Sequence, residues 1–220
     1  MRYSDMNEDA LLQEAMRGYE YVVDPVKRKH LEEKQKERIR WAILNEKDAE
    51  SVISDIHKIG YRDVFSISWF VNTSSKYPEI IHILTKHLDV EHRPAIRSSL
   101  VRALTVKEAQ GTPAMQRIVQ EYKEADDRSE GGYKWVCANA LTVATDYSMI
   151  DELIALALHD DYDDGRVEFV RAIKRFKSPK VKEALEQLAK DDSERVSAEA
   201  KKALRTFRIA KKYFREEPER

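Results

Sequence analysis

Three groups of residues have types and spacings that could do chemistry. The acidic run Asp160-Asp161-Tyr162-Asp163-Asp164-Gly165 is rich in the hard oxygen donors that suit calcium. A calcium loop begun at Asp160 would put Tyr162 at its third position and Arg171 at its twelfth, where a bidentate Glu is required. The run therefore reads as a solvated turn between helices that also caps the next one. His82, His87 and His92 are spaced by five. That spacing spreads them around a helix and across a turn, whereas zinc-binding helices place histidines four apart. Cys137 is the sole cysteine, so neither an intramolecular disulfide nor a Cys-rich zinc motif is available. There is no glycine-rich phosphate loop, no Gly-x-Ser-x-Gly, and no carboxylate pair that stands apart from a charged helix surface. No cofactor and no metal is expected, and Cys137 is read as a small buried hydrophobe.

Composition narrows the fold. The 220 residues are 42% hydrophobic and 36% charged, with six Gly and six Pro, which suits long amphipathic helices. A net charge of −1 argues against a general nucleic-acid binder with a large positive excess. Residues 1–9 lack an apolar signal-peptide core, and no run nears the roughly 18 apolar residues of a membrane span. A cytoplasmic setting is expected.

The elements that would position any site come from an internal repeat. Val196, Ala200, Ala203 and Leu204 lie at helical spacing and recur as Gly165, Phe169, Ala172 and Ile173. Further upstream they become Tyr133, Cys137, Ala140 and Leu141, then Ile96, Leu100, Ala103 and Leu104, with a fainter copy at Tyr61, Phe65, Ser68 and Trp69. The steps are 35, 37, 32 and 31 residues. The residue after the first column reads Arg62, Arg97, Lys134, Arg166 and Ser197, so Ser197 breaks an otherwise basic column. Tyr77-Pro78, Thr112-Pro113 and Ser178-Pro179 open first helices, where Pro loses nothing at the first position; Tyr147-Ser148 opens a fourth. Asp191-Asp192-Ser193 is placed to cap the last second helix.

These columns resemble the short HEAT repeats of phycobilisome-lyase-like proteins. The resemblance covers about residues 45–209. It implies an all-α fold, a right-handed α–α superhelix of about five helical hairpins, and a basic ladder bonding to turn acids and carbonyls. It carries no activity by itself. Residues 1–44 stand outside the array as a helical cap, with a short helix over Asn7 to Arg17 and a long one opened by Asp24-Pro25 and running to Leu44. At the other end Ile209, Tyr213 and Phe214 extend the last helix, and residues 210–220 form an extension and a frayed tail.

Positions six and nine after the first column face away from the core, toward a concave groove. They read Ile67 and Phe70, Arg102 and Thr105, Asn139 and Thr142, Arg171 and Lys174, Lys202 and Arg205. With Trp135 they form a strip running from apolar through polar to basic. Such a strip suits an extended protein or peptide partner of acidic character, and the expected function is a non-enzymatic scaffold. The alternative is nucleic-acid binding. Residues 195–215 hold eight Lys or Arg against Glu199 alone, and Trp135 followed four residues on by Asn139 resembles the Trp and catalytic Asp of HEAT-like alkylation-repair DNA glycosylases. An amide at Asn139 cannot supply the carboxylate charge that stabilises an oxocarbenium ion.

The inward and outward columns are testable. Ala172→Phe is expected to destabilise by roughly 1–3 kcal/mol through overpacking. Lys174→Ala, as an outward position, is expected to stay within about 0.5 kcal/mol. Denaturant unfolding measures both, and equal losses would contradict the column assignment.

Overall fold

The structure is a computed structural model that describes residues 3–126 and 132–208. These residues form eleven α-helices and no strand. They are α1 (Glu8–Met16), α2 (Pro25–Lys58), α3 (Ser68–Asn72), α4 (Ile81–His87), α5 (Pro94–Ala103), α6 (Ala114–Glu124), α7 (Tyr133–Ala144), α8 (Ile150–His159), α9 (Asp163–Ile173), α10 (Pro179–Leu188) and α11 (Glu194–Arg205). Among the described residues, no helix is long and apolar enough to cross a membrane.

The helices pair as hairpins, α4 with α5, α6 with α7, α8 with α9 and α10 with α11. Second helices also pack in sequence, α3 on α5, α5 on α7, α7 on α9 and α9 on α11. The result is a helical repeat solenoid. A lone hairpin leaves one face wet; stacking converts those faces into one continuous core. Leu100, Leu104, Cys137, Leu141, Phe169, Ile173, Val196 and Ala200 are all fully buried. Each large side chain contributes roughly 1.5–3 kcal/mol on full burial. Ala103, Ala140, Ala172 and Ala203 are buried beside them, where a small side chain lets helices approach. Leu204, in the last described repeat, is only half-buried.

Three sequence expectations are corrected. The helix opened by Asp24 does not end at Leu44 but runs unbroken to Lys58. The expected boundary between cap and array therefore falls inside α2, whose second half packs on α4 and α5. Nothing in residues 40–48 breaks it, since neither Gly nor Pro occurs there. The Asp24 cap itself forms, with Oδ1 accepting from the Val26 and Lys27 amides at 2.9 and 3.2 Å.

The faint first copy is out of register. Phe65 and Trp69 are exposed, while Val64, Ile67 and Phe70 are buried. The chain turns at Gly60, with φ of 103°, and α3 has only five residues, so no full helix sets the spacing there. Caps are also redistributed. The Ser193 hydroxyl does not cap α11 but donates to Asp163 Oδ2 at 2.5 Å, across to the neighbouring repeat. The acidic turn does not cap α9 with a side chain either. The extension expected through Ile209, Tyr213 and Phe214 lies outside the described residues.

Gly165, a poor helix residue by propensity, has a packing reason. A Cβ there would overlap the Tyr122 hydroxyl and stand 3.0 Å from two ring carbons. Tyr122 is fully buried and donates its hydroxyl to Asp160 Oδ1 at 2.9 Å, which ties α6 to the turn before α9. Gly165→Ala should therefore cost roughly 1–3 kcal/mol in denaturant unfolding. Gly18→Ala, where no atom lies within 4 Å of the new Cβ, should stay within about 0.5 kcal/mol. Similar losses at the two sites would contradict the Tyr122 wedge.

Candidate interaction surface

The expected strip is brought together in part. Arg102 on α5, Lys202 and Arg205 on α11, and Arg171 on α9 are exposed, Lys174 is 34% exposed at its side chain, and Trp135 on α7 is 38% exposed. Asn139 lies one turn beyond Trp135 and is half-buried, as are Thr105 and Thr142. Their helices are successive neighbours in the second layer. Ile67 and Phe70 do not belong to an accessible strip. Each is 2% exposed, and Phe70 packs edge-on against Tyr77 and Trp69 with ring centroids 4.8 and 5.0 Å apart. They were placed outward only because the register of the first repeat was shifted.

The basic end is not a row of free charges. Lys174 Nζ lies 2.8 Å from Glu199 Oε1, and Arg171 Nε lies 3.7 Å from the same oxygen. Arg171 also donates to Glu168 Oε1 at 2.6 Å. Glu168 and Glu199 are both buried. Burial opposes the charge on Glu199, but the hydrogen bond from Lys174 and the fields of Arg171 and Lys202 outweigh it and hold its carboxyl below the usual range. Lys174 thus anchors a buried carboxylate, and the expectation that it is neutral to truncation is corrected. Sequence reading missed this although a signal existed. Glu168 and Glu199 occupy the same repeat position and stand three residues before Arg171 and Lys202, a spacing that faces them on one helix side. Arg102 and Arg205 differ, since among the described residues neither forms an ion pair; Arg102 Nε approaches only Ser98 Oγ, at 3.4 Å.

The apolar region is a cavity that Ile67 lines and Phe70 does not. It measures about 1380 Å³ and opens between α2, the turn before α3, and α5. Ala42, Ala49, Ile53, Ile67 and Ile96 line it, with the exposed rings of Trp41 and Phe65 at its margin. Ser99 also lines it, and Arg102 lies one turn further along α5, so the cavity adjoins the polar strip. In its wall Asn45 Oδ1 accepts from Arg93 Nε at 3.0 Å.

The other candidate groups are structural. In the acidic turn Asp160 accepts from Tyr122 and Tyr162, Asp163 pairs with Arg166 at 3.3 Å, and Asp164 pairs with Arg195. Among the described residues no cluster of His, Cys, Asp and Glu could hold a metal ion. Cys137 is fully buried, and burial next to Glu121 pushes its thiol up to about 12.

These pairs set the acid response. Glu199 is held ionised in the fold, so its contribution is complete above its ordinary value near 4.5 and is lost as pH falls below that. Glu199→Gln should lower the melting temperature at pH 7 and flatten the loss of stability below pH ~4.5. Lys174→Ala should cost roughly 1–2 kcal/mol, more than an ordinary surface site. A Glu199→Gln protein whose acid unfolding parallels the wild type would contradict the assignment.

Comparison with known proteins agrees with this architecture. No curated protein and no solved structure matches the chain. The family described as HEAT repeats matches residues 150–213, which begin with α8 and take in the last two hairpins. The same paired helices, apolar columns and basic ladder continue upstream of that match through α4. Residues 150–213 are thus similar to HEAT repeats, and the helices upstream continue the same repeat architecture.

Proposed function

We propose that this chain is a non-enzymatic scaffold that binds an extended protein segment along the exposed edge of its second helices. HEAT repeats as a class mediate protein interactions or scaffolding. The observation that carries the reading is the continuity of Arg102, Trp135, Arg171, Lys202 and Arg205 on neighbouring helices, beside an apolar cavity flanked by Trp41 and Phe65. Exposed aromatic and arginine side chains are the residues most often used as binding anchors. Counting Lys174, the strip holds five cations against the two buried carboxylates Glu168 and Glu199, so it keeps a positive balance suited to an acidic segment. The apolar end of that segment would enter the cavity and its acidic end would follow α9 and α11.

Affinity purification with mass spectrometry, with and without nuclease, identifies the partner. Arg102→Glu combined with Arg205→Glu should then weaken its binding by about tenfold or more at low salt, with the melting temperature nearly unchanged. Lys182→Glu with Lys190→Glu is the control, because both lysines are exposed on or just after α10, a first helix. If the control weakens binding equally, the effect is net charge and the groove reading fails. Recovery lost to nuclease, with affinity falling steeply as salt rises, would favour nucleic acid instead.

A further inference from the structure

Two histidines that looked dispersed in sequence meet in the fold. His87 ends α4, and His92 lies in the turn before α5. His87 Nδ1 is 3.3 Å from His92 Nε2. The outer nitrogens both reach α2, with His87 Nε2 3.2 Å from Asp55 Oδ2 and His92 Nδ1 3.1 Å from Asp48 Oδ1. His87 and His92 are 4% and 8% exposed. Asp48, His92, His87 and Asp55 therefore form one unbroken chain, buried at the two histidines and partly exposed at the carboxylate at each end.

The protons can be counted. Each of the three contacts needs one N–H between its heavy atoms. Ionised carboxylates supply none, and two neutral imidazoles supply two. With two, one contact sets a lone pair against a lone pair or an anion. With three, every contact is satisfied. With four, two N–H groups face each other across the His87–His92 contact.

We infer that this chain is a proton-dependent latch, which holds the α4–α5 hairpin on α2 when the histidine pair carries one extra proton and loosens when it carries none or two. The surrounding charges fit. From α2, Lys58 Nζ lies 2.7 Å from Asp55 Oδ1, and from α4, Lys86 Nζ lies 3.8 Å from its Oδ2. The hydrogen bonds from Lys58 and then His87 hold the Asp55 carboxyl below its usual range, so that end stays anionic. At the other end the Arg93 amide donates to Asp48 Oδ2 at 2.8 Å, and the Arg93 side chain is turned to Asn45. Arg97 of α5 and Arg117 of α6 donate to the carbonyl of Leu88 and to neither ring. Burial pushes the His87 imidazole down, opposed by Asp55 and helped by His92 and Lys86, and a second extra proton would set two N–H groups against each other across the 3.3 Å His87–His92 contact.

The sign follows for each step. On this count the first proton completes a contact that exists only in the fold, so the stabilisation it brings is present below the ordinary histidine range near 6.5 and is lost as pH rises above it. The second is bound less tightly folded, so stability also falls as pH drops below that range. Asp48→Asn is the discriminating variant. Its amide can donate the missing N–H to His92 Nδ1 while its oxygen keeps the Arg93 amide, so two neutral imidazoles complete the chain.

The experiment uses the full chain. Imidazole ¹⁵N shifts at pH 7 should show one extra proton shared by His87 and His92 in the wild type, and both rings neutral in Asp48→Asn. The melting temperature of the wild type should fall by roughly 2–4 °C relative to Asp48→Asn as pH rises from 6 to 9. If both wild-type rings are neutral at pH 7, or if the two melting profiles run parallel, the latch is overturned. If Asp48→Asn unfolds, the wild-type ¹⁵N shifts alone decide.

Discussion

Each hairpin of this solenoid has the same weak point, the last carbonyls of its first helix, which have no partner within that helix. The residue after the first apolar column meets that need. Arg97 donates to the carbonyls of Leu88 and Val90 at 3.1 Å, and Arg166 donates to that of Ala157 at 2.9 Å. The same side chains then reach forward. Arg97 bonds to Glu121, Lys134 Nζ lies 4.0 Å from Asp160, and Arg166 donates to Asp191 at 3.1 Å. One planar guanidinium can close a hairpin and dock it on the next because its five donors point in fixed directions. The angle between repeats, and so the alignment of every second helix, rests on this ladder.

The ladder also explains its own exception. Ser197 Oγ donates to the Ala189 carbonyl at 2.8 Å, the same local task that Arg97 and Arg166 perform. Its short hydroxyl performs only that local half of the task. Arg62 departs differently. It is exposed in the turn after Gly60, six residues before α3 begins, and no hairpin of full length exists there for it to close.

Where four repeats share a register, the fold was legible in sequence, down to the alanines at close helix contacts. The ladder was legible from one basic column. What was not legible follows from non-local packing. A strong uninterrupted helix hid the junction between cap and array, since α2 carries no breaker there. The five-residue α3 has no periodicity to read, and that single slip sent Ile67 and Phe70 to the wrong side. Gly165 looked like a defect because the Tyr122 ring that fills its missing side chain comes from a different repeat. The candidate surface was half legible. Its cations stand in the repeat columns, but the burial of Glu168 and Glu199 as their counter-ions does not, and the cavity at Trp41 and Phe65 depends on a chain reversal that no column predicts.

The 34 residues of α2 form a single rod about 50 Å long. Its second half packs on α4 and α5, while its first half carries α1 and is otherwise largely exposed. A rod shared in this way is a lever. A force or a ligand acting near Val26, at the far tip, works with a long arm on the α2 face that carries Asn45, Asp48 and Asp55. Bending is resisted by a continuous backbone hydrogen-bond ladder instead of a hinge. Tilting the tip would therefore be felt at the cavity wall with little slack between the two.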